Sequence, residues 1–321
     1  MISTAHSAKF IVSSDQINGP LNLTETILSA QTSEPEWVRV GERFIDVEEL
    51  GGVPVKYSVR QLGTVDHPSI EVEFLASTTN GIEEMLREHL NRVLGLEDNL
   101  FEFYQKYCAR KEPISRTFNF LNGLRLMRGT NLYESLLCSI LSQNNSAKRW
   151  NQIARLLMKN YGKMVQFQDG SSSLFFPVPA TIAKLSVKEL QSKTSAGYRA
   201  KSVVEVSRMI ARREFELDRL LACDYERAHE MLLQLYGVGP KVADCFLLYG
   251  LGRLEAAPVD VWIHRIVKRL YFKRRKVSRP EAAEFLRERF GTWAGYAQLY
   301  LFDYARRMST RGKTTRRLNA F

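Results

Sequence analysis

A chain of 321 residues, 45% of them hydrophobic, is long enough for about two domains, each with its own core. No run is long and apolar enough to span a bilayer, and residues 1–16 lack the basic-then-apolar order of a secretory leader, so an intracellular protein away from membranes is expected. The net charge of +11 is concentrated at one end: residues 261–321 carry 16 Lys/Arg against 4 Asp/Glu, which leaves residues 1–260 close to neutral.

From about Lys9 to Ser77 the sequence reads as strands. KFIVSS, WVRVGERFIDVEEL, VPVKYSVRQL and SIEVEFLA alternate or cluster β-branched and aromatic residues, with turns at Gly51-Gly52 and Asp66-His67-Pro68. One antiparallel sheet domain over 1–95 is predicted. The period changes after Asn80. Trp150, Ile153 and Leu157 share a helix face behind a Ser146 N-cap. Ala228, Met231, Leu232 and Leu235 do so behind Asp224, and Ile263, Ile266, Val267 and Leu270 behind Asp260. Residues 81–308 therefore read as mostly helical, with 96–308 as the helical domain, 168–179 as a loop inside it and 309–321 as a basic tail. The predicted class is α+β, a sheet domain followed by a helical one, without internal repeats. Cys108, Cys138, Cys223 and Cys245 are widely spaced and form no CxxC pair. That argues against a disulfide framework or a zinc site and fits a reducing interior. The basic final fifth suits a polyanion, either nucleic acid or an anionic membrane, or is a solvated tail that keeps the chain soluble.

Between two apolar stretches stands LYGVGPKVADC, residues 235–245. A helix ending near Leu235 is followed by a Gly237-Val238-Gly239 bend. Pro240 suits the first position of a new helix, which is expected to run to about Tyr249 and stop at Gly250. Two helices joined by a Gly-x-Gly turn make a helix–hairpin–helix, whose glycines let backbone approach a ligand and whose free N–H groups can hold a phosphate oxygen. An ordinary αα-turn has the same appearance. Lys241 stands where the helix dipole disfavours an ammonium, which makes its amine a candidate nucleophile. Asp260, nineteen residues on in PVDVWIHRI, is either a plain N-cap or a carboxylate that faces Lys241, takes its proton and stabilises a developing cation. Gln298 and Phe302 lie four residues apart on one helix face, and Cys245 lies one turn beyond Lys241. A Gln amide can read a base edge and a Phe ring can stack on a base. Core packing is the alternative for Phe302 and Cys245.

These segments together resemble the HhH-GPD superfamily of base-excision DNA glycosylases, and within it the 8-oxoguanine DNA glycosylases. The similarity extends from about Ser29 to Arg307 and is densest from Leu132 onward. It implies a bifunctional DNA glycosylase/AP lyase acting on duplex DNA that contains a damaged base. Lys241 would attack C1′, expel the base and form a Schiff base, and β-elimination would follow with the help of Asp260. Cys245 and Phe302 would sandwich the extruded base and Gln298 would hydrogen-bond it. Tyr198 in SAGYRAKSV would intrude into the duplex, and Asn144 in LSQNNSAKRW would fill the gap. Arg149 and Arg199 would contact the orphaned cytosine, and Gly237 and Gly239 would approach the phosphate. The mechanism requires no metal or organic cofactor and only one copy of the chain.

Three departures stand out. The stretch whose backbone carbonyl distinguishes 8-oxoguanine reads Ser29-Ala30-Gln31 rather than Ser-Gly-Gln, so Ala30 takes that pocket position. Trp262 replaces a phosphate-contacting histidine. No cysteine follows Cys245, so the iron–sulfur cluster of the endonuclease III group is absent. Two other functions are open to the same motifs. One is a monofunctional alkylpurine DNA glycosylase, against which Lys241 counts. The other is a non-catalytic DNA-binding protein that uses the hairpin as a phosphate clamp.

Overall fold

Val55, Tyr57 and Val59 alternate with Lys56, Ser58 and Arg60, and Ile70, Val72 and Phe74 with polar neighbours. A period of two sends alternate side chains to one face, and all six of these apolar residues are buried. The computed structural model describes residues 6–311 except 30, 33, 34, 36, 109–111, 168 and 274, with only the backbone of 309–311. Strands β1 (His6–Val12), β2 (Val38–Val40), β3 (Arg43–Leu50), β4 (Val53–Gly63) and β5 (Pro68–Ala76) form an antiparallel sheet in the order β1-β5-β4-β3-β2. Gly51 and Gly52, both at positive φ, make the β3–β4 turn. WVRVGERFIDVEEL is divided by Gly41, at φ +62°, into β2 and β3. The apolar face packs on the helix Ile82–Val93 through Ile82, Leu86, Leu90 and Val93.

A second and larger core begins at Leu100 and continues to Ala305. It is built from helices, which makes the fold α+β as expected. The segment 124–127 joins the two cores. Arg125, fully buried, donates to the carbonyls of Pro20 (3.0 Å), Gly95 (2.5 Å), Asp98 (3.2 Å) and Asn18 (2.8 Å). Each bond satisfies an acceptor that would otherwise be buried and unpaired.

Three expectations change. The loop placed at 168–179 is partly a hairpin: β6 (Lys163–Gln166) pairs with β7 (Ser172–Phe175), and Lys56 of β4 reaches Asp169 and Ser171 at 2.9 and 2.8 Å. Four residues per strand are too few for a period of two to register. The helix that starts at Pro240 does end at Gly250, but from Phe246 to Gly250 it is a π-type turn rather than α-helix, and Gly252, at φ +75°, follows. The last helix, Ala294–Arg311, runs past 308 into the stretch read as tail, and 312–321 lie outside the described residues.

Candidate active site

Local rules place the first pieces. Asp224 caps the helix Tyr225–Leu232 and accepts from Arg227 N. Gly237, at φ +77°, turns the chain, and Pro240 starts the helix Pro240–Cys245. A Cβ on Gly237 would lie 2.1 Å from Ser202 Oγ, whereas one on Gly239 would meet nothing within 4 Å. Gly237 is thus required by the packing of the bend on the helix Arg199–Ala211. Gly239 leaves an open flank at the helix start. The bend is also held from the side by Gln143, whose Nε2 donates to the Gly237 carbonyl at 2.9 Å.

Lys241, Asp260, Cys245, Gln298 and Phe302 line one cavity of about 80 Å³, together with Gln31, Thr32, Ser142, Asn145, Ala147, Trp150, Tyr249 and Pro258. The volume is small against ordinary ligand pockets of roughly 300 Å³ or more. Asp260 caps the helix Val261–Leu270, accepting from Ile263 N at 2.8 Å, and it also faces the cavity.

Lys241 Nζ donates to Ser142 Oγ at 3.0 Å, and that hydroxyl in turn donates to the Ser139 carbonyl at 2.7 Å. The amine is therefore held by a neutral acceptor, and among the described residues no carboxylate pairs with it. Burial pushes the Cys245 thiol up, against the opposing pull of the nearby Lys241 amine, so Cys245 forms a wall of the cavity as a thiol. Gln298 is buried and accepts from the Tyr249 hydroxyl at 3.2 Å. Burial also pushes Tyr249 well above its ordinary value, which keeps it a donor. Three residues after Lys241, buried Asp244 accepts from Tyr225 at 2.6 Å, and Tyr225 accepts from Arg287 at 3.2 Å.

Asn144, Arg149, Tyr198 and Arg199 form a second group around Gln143, next to Ser142. Asn144 adopts φ +48° and donates to the Tyr198 hydroxyl at 3.0 Å, and Tyr198 is 58% exposed. Arg149 is exposed and reaches Gln152 and the Ser195 carbonyl. Arg199 is 8% exposed, donates to the carbonyls of Gln143 and Ala196, and lies 4.4 Å from the Tyr198 ring centroid. Trp262 is exposed, with the Arg265 guanidinium 5.6 Å from its ring. Ala30 lies outside the described residues.

Ser142, Thr32 and Tyr249 were not singled out by sequence. Tyr249 carries a signal, since it lies four residues after Cys245 and so shares its face. Ser142 is 99 residues from Lys241, and no spacing announces it. The basic stretch also divides on inspection. Arg289 pairs with Glu112, Arg306 with Asp303, and Arg307 with Asp303 and Glu25. These charges serve the fold.

The chain is similar to known proteins along most of its length. Residues 137–291 match the HhH-GPD superfamily of base excision DNA repair proteins. A probable N-glycosylase/DNA lyase of Methanothermobacter thermautotrophicus is 34% identical over 309 residues, covering 90% of this chain and 95% of the relative. Two solved structures share the fold. One is the 8-oxoguanine glycosylase/lyase of Clostridium acetobutylicum, in complex with double-stranded DNA containing cytosine opposite 8-oxoG (TM-score 0.77, 24% identity, 95% of this chain and 98% of that one). The other is the 3-methyladenine DNA-glycosylase of Archaeoglobus fulgidus (TM-score 0.76, 24% identity, 94% and 99%). The similarity to the Methanothermobacter relative over nearly the whole of both chains, with the helix–hairpin–helix match inside it, makes this chain a member of the HhH-GPD superfamily of base excision DNA repair proteins.

Proposed function

We propose that this N-glycosylase/DNA lyase excises oxidised purine, 8-oxoguanine opposite cytosine, from duplex DNA and then cleaves the strand through a lysine Schiff base. The observation that carries the reading is the single cavity shared by Lys241, Asp260, Cys245, Gln298 and Phe302. The Lys241 amine attacks C1′ as the glycosidic electron pair leaves with the base, which takes up a proton. Asp260 stabilises the oxocarbenium-like transition state and receives the proton that the new C1′–N bond releases. Ring opening gives the Schiff base, and loss of a C2′ proton expels the 3′ phosphate. The extruded base lies between Phe302 and Cys245, with Gln298 on its polar edge. Tyr198 and Asn144, already bonded to each other, enter the stack, and exposed Arg149 faces the orphaned cytosine. Gly239 leaves the start of the lysine helix open to the backbone phosphate.

The fold by itself is shared by enzymes named for 8-oxoguanine and for 3-methyladenine. A lysine at the nucleophile position supports the lyase. Borohydride trapping on a duplex with 8-oxoguanine opposite cytosine tests it. The wild-type protein is expected to give a covalent adduct and Lys241→Gln none. Equal trapping by both proteins, or release of 3-methyladenine without strand cleavage, overturns the reading.

A further inference from the structure

Among the described residues, six buried side-chain polar atoms have no hydrogen-bond partner, and Thr32 Oγ1 alone among them belongs to a residue lining the base cavity. Thr32 is 8% exposed, and its hydroxyl lies beside the Cys245 thiol, a weak acceptor on which it has a small effect without forming a hydrogen bond of ordinary geometry. A buried hydroxyl with nothing to bond is disfavoured and calls for a reason.

The surrounding bonds remove a structural one. Gln31, the residue before it, uses its whole amide on the fold: Nε2 donates to Ser29 Oγ at 2.7 Å and to the Arg125 carbonyl at 2.9 Å, and Oε1 accepts from Met127 N at 2.8 Å. Ser29 in turn bonds the Thr26 carbonyl. The segment is thereby clamped to the junction between the two cores before the chain reaches Thr32. The other polar groups of the cavity are largely engaged already: Ser142 with Lys241 and Ser139, Gln298 Oε1 with Tyr249, and Asp260 Oδ1 with Ile263 N. Among the described residues, the Thr32 hydroxyl has only the Cys245 thiol beside it and no hydrogen bond of ordinary geometry.

We infer that Thr32 is a specificity-determining residue whose hydroxyl is satisfied by a polar heteroatom on the edge of the extruded base. A hydroxyl offers one donor and two acceptor sites, so it serves either a ring N–H or an exocyclic oxygen. A base that offers neither there leaves the hydroxyl buried and unpaired in the closed pocket, and such mismatches discriminate more strongly than missing apolar contact. This inference deepens the function proposed above and rests on it.

The test separates base recognition from lyase chemistry. Thr32→Val keeps the shape and removes the hydroxyl, and Thr32→Ser keeps the hydroxyl. Single-turnover release of 8-oxoguanine from a duplex is expected to slow about tenfold or more in the valine variant and to stay within about threefold of wild type in the serine variant. Borohydride trapping on a duplex with a preformed abasic site, where no base enters the cavity, is expected to be unchanged in all three proteins. The valine variant is also expected to melt higher, because the unpaired hydroxyl is gone. Equal base release by wild type and Thr32→Val overturns the inference, and so does a parallel loss of abasic-site trapping, which would make the role structural. A wild-type protein that acts on neither duplex overturns the functional reading itself, and Thr32 with it.

Discussion

Gly237 and Gly239 are two residues apart in the same bend, yet the structure gives them separate roles. Gly237 combines a left-handed φ of +77° with a neighbour, Ser202 Oγ, that any Cβ would strike. Gly237→Ala is expected to lower stability by roughly 2 kcal/mol or more, since strain and overpacking add. Gly239 has extended backbone and an open flank. Gly239→Ala should leave the melting temperature within a degree or two and weaken binding to duplex DNA. Thermal melts and binding isotherms of the two variants check this contrast. If Gly239→Ala bound duplex as well as wild type, the open flank would have no role in holding phosphate. Ser142 shows the same economy at Lys241, because its hydroxyl positions the amine without placing a counter-charge of its own beside it.

Among the elements, the sheet holds a buried titratable cluster far from the candidate chemistry. The Tyr57 hydroxyl bonds His89 Nε2 at 2.9 Å and Asp46 at 3.2 Å, and Glu48 lies 4.0 Å from the other ring nitrogen of His89. Burial, with the Arg92 charge beside it, lowers His89 to about 4, and burial raises Asp46 to about 7. The signs oppose. Between about pH 4 and 6.5 the unfolded chain protonates His89 and the folded one does not, so stability from His89 is full above pH 6.5 and is lost as pH falls toward 4. Asp46, protonated in the fold below about 7 but in the unfolded chain only near its ordinary carboxylate value, raises stability as pH falls across the whole of that interval. The difference between wild type and His89→Gln isolates the histidine. Relative to the variant, wild type should lose up to about 3 kcal/mol between pH 6.5 and 4. Denaturant melts across this interval measure it, and parallel curves for the two proteins would show that His89 does not titrate in this way.

Over the whole molecule, the +11 charge is less available than its total implies. Arg289, Arg306 and Arg307 are committed to internal acids, whereas Arg265 is exposed and Lys268 partly so on the helix that Asp260 caps. Affinity for undamaged duplex is expected to fall linearly in log salt. The double change Arg265→Gln with Lys268→Gln should reduce the slope by about 2. Arg289→Gln should leave the slope alone and instead cost about 1–3 kcal/mol of stability, because it strands buried Glu112. Salt titrations of the three proteins distinguish the roles. A slope unchanged by the double variant would remove this helix from the DNA-facing surface.

Local physics wrote much of this protein into its sequence. A period of two over β4 and β5, a helical period after Asn80, the caps Ser146, Asp224 and Asp260, and a Gly-x-Gly bend before Pro240 each depend on residues a few positions apart. They are therefore legible without a fold. Lys241 and Asp260 could be named for the same reason, since a motif marks each. The β6–β7 hairpin was not legible, because its strands are too short for a period. Nor was the burial of Arg199, whose partner carbonyl of Gln143 lies 56 residues away. Only the tertiary structure brought Thr32, Ser142 and Tyr249 to the lysine and the aspartate. Packing between distant helices, and the Gln31 and Arg125 bonds across the junction of the two cores, decide which side chains line the cavity. Those contacts leave no pattern along a single chain.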